Sequence, residues 1–298
     1  MRLFLTGGTG YVGSAVLEAL VRAGHRVDVL VRNREGAASV QARGARPVLG
    51  DLLRRASWHD AAAAAEGAIH AAVEYGPRQV AADLAAIDCM ISLPEKRGRF
   101  VIYTSGIWVL GPAPVPVDET AQVNPIEIVS WRPAHEQRVL SAASVGLRAI
   151  VIRPGVVYGG ARGMVGDLLK DAANSLVRIV GSGENHWPLI YDRDLGDLYA
   201  RIVGTPGASG IYHATDGGAE TVNEIVAALA DHAPTQPTIR HVPLAEARKK
   251  MGGYADALAL DQIVRSTRAH ELGWAPTLHS VAGNAARLFE EWRRGKAA

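Results

Sequence analysis

Thr6-Gly7-Gly8-Thr9-Gly10-Tyr11-Val12-Gly13 follows directly on the apolar run Leu3-Phe4-Leu5, and the fold is read outward from that junction. The run predicts a short buried strand that delivers its end to a glycine-rich turn. The turn reads as G-x-G-x-x-G through Gly8, Gly10 and Gly13, and as G-x-x-G-x-x-G through Gly7, Gly10 and Gly13. The early glycines permit a tight turn and let backbone N–H groups approach a diphosphate, and the last lets the next helix pack closely on the strand. That helix, Ser14 to Ala23, points its positive end at the anion. Gly24 closes it ahead of a second strand, Arg26 to Val31, so the motif has the strand–turn–helix context that dinucleotide binding requires.

Composition bounds the rest. A chain of 298 residues can bury a substantial core as one large α/β domain, or as a large domain with a smaller lobe. Its single cysteine, Cys89, cannot form an internal disulfide, so a reducing cytoplasmic location is expected. The N-terminal apolar run is too short for a signal-peptide core and no later stretch is long enough to span a bilayer, so no membrane association is expected. Lys plus Arg number 32 against 30 Asp plus Glu, and the basic residues are scattered rather than gathered into a stripe, which argues against nucleic acid as a partner.

Strand-like runs recur between helical stretches at Leu3–Leu5, Val27–Val31, Pro47–Leu49, Gly67–Ala71, Phe100–Tyr103, Leu147–Ile152 and Ile211–Ala214. Nearly continuous apolar runs in that alternation predict a Rossmann-type doubly wound parallel sheet, with ligands outside the C-terminal strand ends. The expected organisation is a dinucleotide-binding domain over 1–154, rejoined by 192–216, and a smaller C-terminal substrate-binding lobe from 155–191 and 217–298. The second strand ends Val31-Arg32-Asn33-Arg34. Arg32 and Arg34 there suit a 2′-phosphate, whereas an NAD site usually carries an acidic residue at that point, so NADP (NADPH) is the expected cofactor. Asp28 lies too early in the strand for that role.

The order of the motifs resembles the extended, atypical short-chain dehydrogenase/reductase superfamily, in its NAD(P)-dependent epimerase/dehydratase branch, over essentially the whole chain. Residues 6–13 resemble its cofactor loop, which implies Gly7, Thr9, Gly10, Tyr11, Val12 and Gly13 as contacts. Gly50-Asp51-Leu52 resembles its adenine-contacting turn, and His70-Ala71-Ala72 the strand end beside the cofactor ribose and phosphates. Thr104-Ser105-Gly106 resembles the active-site serine region. Arg153-Pro154-Gly155-Val156-Val157-Tyr158-Gly159 resembles the segment whose backbone flanks the nicotinamide, with Pro154, Gly155 and Val156 as contacts. Gly183-Glu184-Asn185-His186-Trp187-Pro188 and Asp192-Arg193-Asp194-Leu195 resemble the substrate-lobe segment and the return into the nucleotide domain, and Thr267-Arg268 with Leu272-Gly273-Trp274-Ala275-Pro276 resembles the closing elements. For Asp51 and His70 the functional role is favoured over a turn aspartate or a satisfied strand-end histidine; for Arg153 a buried ion pair is favoured.

The chain departs from the family where the chemistry is done. A Tyr-x-x-x-Lys pair is absent, and two registers are open within residues 126–140. Spacing from the serine region puts Trp131 at the tyrosine and His135 at the lysine. Anchoring on Glu136 as the family's helix glutamate puts Ile128 and Arg132 there instead. Neither restores the proton relay, because an indole N–H does not titrate usefully and isoleucine offers nothing. The usual hydroxyl position falls on Gly106, one residue from Ser105. His135, of the residue type that exchanges protons near neutral pH, and Ser105, which can polarise a carbonyl, are the candidate catalytic groups, with Trp131 beside them. Val139 stands where a zincin H-E-x-x-H would need its second histidine, so no metal site is expected.

Tyr75, Trp108 and Trp187 are the candidate substrate contacts. The expected function is an NADP-dependent oxidoreductase acting on a small carbonyl or hydroxyl compound. The alternatives are a non-redox isomerase, lyase or cyclase, or a redox-silent NADP(H) sensor. The resemblance also implies a homodimer, through the helices around Val80–Ile91 and Ala134–Ala143.

Overall fold

The computed structural model describes residues 1–94, 96 and 98–297. In the first half of the chain, β1 (Arg2–Thr6), α1 (Tyr11–Arg22), β2 (Arg26–Val31), α2 (Arg34–Ala42), β3 (Arg46–Leu49), α3 (His59–Ala64) and β4 (Gly67–His70) alternate regularly. They continue through α4 (Gln79–Ile91), β5 (Phe100–Thr104), β6 (Ala113–Val117), α5 (Arg132–Ser141) and β7 (Arg148–Pro154). After these come β8 (Val156–Tyr158), α6 (Gly163–Ala173), β9 (Leu176–Val180), β10 (Leu189–Tyr191), α7 (Asp192–Val203) and β11 (Gly210–Ala214). The chain closes with α8 (Val222–Asp231), β12 (Thr238–Val242), α9 (Leu244–Met251), α10 (Tyr254–Leu258), β13 (Gln262–Val264), α11 (Thr267–Glu271) and α12 (Ala285–Ala297).

All seven expected strand runs lie in one parallel sheet of order β11-β7-β5-β4-β1-β2-β3. The chain moves outward from β1 to β3 and then returns to lay β4 on the other side of β1. That reversal opens a crevice at the C-terminal ends of β1 and β4, where open α/β sheets bind ligands. The shorter strands escaped the sequence reading: they form the two-stranded pairs β8–β10, β9–β12 and β6–β13.

Pleat decides which residues reach which face. Leu3, Leu5, Phe100 and Ile102 join Val16, Leu20, Leu198 and Tyr199 in the core under α1 and α7. Their neighbours Phe4, Val101 and Tyr103 turn the other way, to Ile87, Met90 and Val139 of α4 and α5. A separate core gathers Tyr158, Leu169, Ile179, Trp187, Ile225, Leu288 and Phe289 around α6, α8 and α12. The first helix begins three residues earlier than expected, because Gly10 is extended and serves as its N-cap. Asp28 is buried and takes hydrogen bonds from Arg46 Nε at 2.6 Å and Arg2 Nε at 2.8 Å. Burial alone would raise its pKa, but these two cations outweigh burial and hold it below the usual carboxylate range.

Candidate active site

The glycine turn leaves no room for side chains. Gly7 has φ +80°, and a Cβ there would lie 2.5 Å from Ala71 O; one on Gly13 would lie 2.1 Å from Gly7 O. Gly10 N–H donates to Gly7 O at 2.8 Å, closing the turn under Thr9. The cradle therefore presents bare backbone at the β1–β4 crevice, the surface a diphosphate needs. Tyr11 donates its hydroxyl to Gly159 O at 2.7 Å and ties the turn to the loop after β8, while Val12 packs into the core under α1.

At the end of β2, Asn33 caps α2 by accepting from Gly36 N at 2.8 Å. Arg32 and Arg34 flank this cap, both exposed and without a protein partner among the described residues. A Cβ on Gly36 would lie 3.4 Å from Thr9 Cγ2, so this segment borders the glycine turn. Beyond β3, Asp51 accepts from Leu53 N at 2.9 Å and from Arg78 Nη2 at 3.1 Å, with Leu52 partly buried beside it.

A buried polar cluster fills the space between the ends of β4 and β5 and the helices α4 and α5. His70, the last residue of β4, lies with Nδ1 2.6 Å from Thr6 Oγ1 and Nε2 3.2 Å from Asp83 Oδ1. The other oxygen of Asp83 takes His135 Nδ1 at 2.7 Å and the Tyr103 hydroxyl at 2.9 Å. Burial alone would raise the Asp83 pKa. The hydrogen bonds from His135 and His70, with the nearby charges of His70 and Arg132, reverse that and hold it well below the carboxylate range. An ionised carboxylate only accepts, so His135 presents Nδ1–H and His70 presents Nε2–H, and Thr6 donates to His70 when that ring is neutral. Burial raises the Tyr103 pKa far beyond neutrality, so Tyr103 remains a hydroxyl donor.

Arg132, the first residue of α5, donates Nη1–H to the Tyr103 hydroxyl at 3.0 Å and to Thr104 O at 3.1 Å. Its guanidinium lies 4.5 Å from the Trp131 ring centroid, and Trp131 meets the His135 ring edge-on at 4.9 Å. Ser105, which follows β5, is buried and its Oγ has no partner among the described residues. Thr104 turns to the opposite face and pairs with the Tyr199 hydroxyl at 2.6 Å.

The helix thus separates three roles that the sequence left entangled. Glu136 faces β7 and takes Arg153 Nη2 at 2.6 Å and Nε at 3.0 Å, both side chains buried, as expected of a structural Arg153. Arg132 brings its cation to the end of β5, the place the Glu136 register assigns to the family's lysine. His135 turns toward α4. Ile128, at the tyrosine position of that register, packs against Gly253.

Trp131 and His135 therefore meet at the start of α5 and are tied to the end of β5 through Arg132, Asp83 and Tyr103, with His70 on the same carboxylate; Ser105 follows Thr104 at that strand end and makes no hydrogen bond or ring contact with either of them among the described residues. The three proposed substrate contacts do not join them in one cluster. Tyr75 is 88 % exposed on the segment before α4. Trp108 packs edge-on against Tyr254 at 6.3 Å, and Trp187 is buried with its Nε1–H given to Leu258 O at 3.1 Å. Pro154 ends β7 and Gly155 N–H donates to Ala214 O at 2.9 Å. Val156 N–H donates to Pro188 O at 2.7 Å, and a Cβ on Gly155 would meet that oxygen at 2.3 Å. Asp83 escaped the sequence reading. Arg132 was reachable through its spacing to Glu136, whereas Asp83 sits in an alanine-rich helix with no pattern to mark it.

Past the end of β11, Asp216 Oδ1 accepts Gly218 N at 2.8 Å while Oδ2 is buried without a partner among the described residues. Burial pushes this carboxyl up to about 7, against the pull of the Gly218 N–H. A carboxyl raised in the folded state stabilises below its unfolded pKa and loses that contribution as pH rises through the folded value. A one-proton difference between the folded and unfolded chain, held over the two pH units from about 5 to the folded pKa, makes that loss on the order of 2–3 kcal/mol by about pH 8. Asp216→Asn is thus expected to gain this much on the wild type over that range, as read by urea denaturation at both ends; parallel stability curves refute it.

The sequence matches the family described as the NAD dependent epimerase/dehydratase family over residues 3–214. An uncharacterised protein of Schizosaccharomyces pombe is 32 % identical, covering 94 % of this chain and 96 % of its own. A 4-hydroxy-2-methyl-3-oxo-4-farnesyl-3,4-dihydroquinoline-1-oxide ketoreductase of Stigmatella aurantiaca is 34 % identical over 53 % of this chain and 51 % of its own. Among solved structures, human epimerase family protein SDR39U1, determined with NADPH, superposes with a TM-score of 0.77 at 19 % identity, covering 97 % of this chain and 99 % of that one. With that match over residues 3–214 and the seven-stranded parallel sheet, the chain belongs to the NAD dependent epimerase/dehydratase family.

Proposed function

We propose that the protein is an NADP-dependent oxidoreductase that interconverts a small carbonyl compound and its alcohol without a Tyr-x-x-x-Lys dyad. The observation that carries this reading is the buried Ser105 hydroxyl, without a partner among the described residues, at the end of the strand whose Tyr103 shares the Asp83 carboxylate with His135. The ketoreductase among the relatives and the NADPH in the human structure support it. The glycine turn holds the diphosphate on its N–H groups, and Arg32 and Arg34 hold the 2′-phosphate. Asp51, Leu52, His70 and Ala71 border the adenosine and ribose, and the 154–156 backbone borders the nicotinamide. When bound, the reduced cofactor supplies hydride. Ser105 Oγ donates to the carbonyl oxygen, His135 gives that oxygen its proton, and Trp131 shields the pair from water. The remainder of the reading is a substrate lobe built from 155–191 and 217–298, a cytoplasmic location and a homodimer through α4 and α5.

The deciding experiment mixes the protein with NADPH and a series of aldehydes, ketones and β-keto acids and follows the nicotinamide absorbance. Carbonyl-dependent loss of that band supports the reading; turnover without it makes the protein a non-redox enzyme, and cofactor binding with neither makes it a sensor. Cofactor choice is tested separately. Arg32→Ala is expected to weaken NADPH roughly 10- to 100-fold, the value of one charge-assisted hydrogen bond, and to leave NADH nearly unchanged. Fluorescence titration showing tighter NADH binding in the wild type, or equal losses for both cofactors in the variant, contradicts it.

A further inference from the structure

Asp83 belongs to no motif, yet side chains from three other elements converge on its carboxylate: His70 from β4, Tyr103 from β5 and His135 from α5. A carboxylate that is 5 % exposed and takes three such bonds is a built feature rather than a stray helix acid. Its two oxygens are divided: Oδ1 serves His70, while Oδ2 serves both His135 and Tyr103. The His135 ring is left with Nε2 free of any protein partner among the described residues, on a helix whose first residue, Arg132, already touches the strand end.

We propose that Asp83 is the positioning residue for proton transfer, accepting Nδ1–H of His135 so that Nε2 is the atom that exchanges a proton with substrate. This deepens the reading of His135 as the proton donor and rests on it. In the reductive direction the carbonyl carbon takes the hydride of the reduced cofactor and the carbonyl π pair becomes the new O–H bond. The proton of that bond comes from Nε2, which leaves a neutral imidazole with Nδ1–H still on Asp83; solvent then restores the imidazolium.

The charges around His135 decide how strongly Asp83 acts. Arg132, one helical turn away and linked through Tyr103, opposes the imidazolium, and so does a protonated His70 across the same carboxylate. Trp131 contributes only a ring edge, and Glu136 is neutralised by Arg153. Among the described residues Asp83 is therefore the anion hydrogen-bonded to the His135 ring. Without it, Arg132 remains and His135 loses affinity for the proton.

The test needs no substrate for its first arm. Nitrogen-labelled imidazole spectra, with His135 assigned by comparison with His135→Asn, are expected to show the Nδ1–H tautomer in the wild type. In Asp83→Asn that tautomer preference is lost and proton affinity falls at least tenfold, while circular dichroism is unchanged. The second arm uses NADPH and whichever carbonyl probe is turned over. Asp83→Asn is expected to lower kcat about 10- to 100-fold with KM and NADPH affinity held, and to move the alkaline fall in kcat to lower pH. A folded Asp83→Asn with unaltered His135 tautomer and titration overturns the role of Asp83 and leaves the function untouched. Full turnover by His135→Asn overturns the donor reading and this proposal with it. Should Asp83→Asn fail to fold, Asp83→Glu carries the same measurements; its displaced carboxylate is expected to lose part of the coupling, and an unaltered His135 there overturns the proposal.

Discussion

Arg153→Ala is expected to lower the unfolding free energy by about 3–5 kcal/mol, the range for breaking a buried ion pair from one side. Arg153 and Glu136 are 2 % and 3 % exposed, and two hydrogen bonds at 2.6 and 3.0 Å join them. Removing the guanidinium strands a carboxylate between α5 and β7 with neither water nor cation. The loss therefore comes from the charge left behind more than from the bond removed, so the double variant Arg153→Met/Glu136→Leu should recover most of it. Arg153 Nη1 also lies 3.5 Å from His213 Nε2. Burial first and Arg153 second hold the His213 pKa down to about 3. A histidine kept neutral in the fold destabilises it progressively as pH falls from about 6.5 toward the folded value, because the unfolded chain gains the proton first. Arg153→Ala should therefore show a shallower loss of stability on the acid side than the wild type. Urea denaturation at neutral and mildly acidic pH reads both effects; a loss below about 1 kcal/mol, or a double variant no better than the single, refutes the ion-pair account.

The same pair shows why the fold was legible and the site only partly so. Strand runs such as Leu3–Leu5 and Phe100–Tyr103 declare themselves because burial on both faces requires continuous apolar residues, and the glycine turn because backbone lies within 2.5 Å of where side chains would stand. The short paired strands β9–β12 and β6–β13 join segments far apart in the chain, and no local pattern records such pairing. On α5 the register hung on whether Trp131 or Ile128 stands at the tyrosine position. The two are three residues apart, so helical periodicity does not choose between them; the structure adds the partners that no periodicity records, Glu136 to β7, His135 to α4 and Arg132 to the end of β5. Asp83 was invisible for a related reason. A buried carboxylate is defined by what converges on it, and His70, Tyr103 and His135 approach from distant positions.

His135→Ala is expected to lower turnover by about 10²- to 10⁴-fold, the usual worth of a positioned general acid, while NADPH affinity stays nearly unchanged. The separation follows from geometry. His135 sits on α5 with Nδ1 committed to Asp83 and takes no part in the glycine cradle or the Arg32–Arg34 segment, so its loss removes a proton donor without dismantling the cofactor's contacts. Binding energy for the diphosphate and 2′-phosphate is the same in ground and transition states and sets affinity; proton transfer to the carbonyl oxygen exists only in the transition state and sets kcat. In the register that puts Ile128 at the family's tyrosine position, Tyr103 does not stand in for His135, since it faces Asp83 with its pKa raised far beyond neutrality by burial. Ser105→Ala provides the contrast. Its Oγ is buried with no partner among the described residues, so if the hydroxyl polarises the carbonyl, that variant should carry the larger kcat loss and His135→Ala the larger change in pH dependence. Steady-state kinetics of both variants on one identified carbonyl substrate, each with its own NADPH titration, separates the roles. Full activity in both shifts the chemistry away from the β5 end, toward Tyr75 or the Asn185-His186-Trp187 segment.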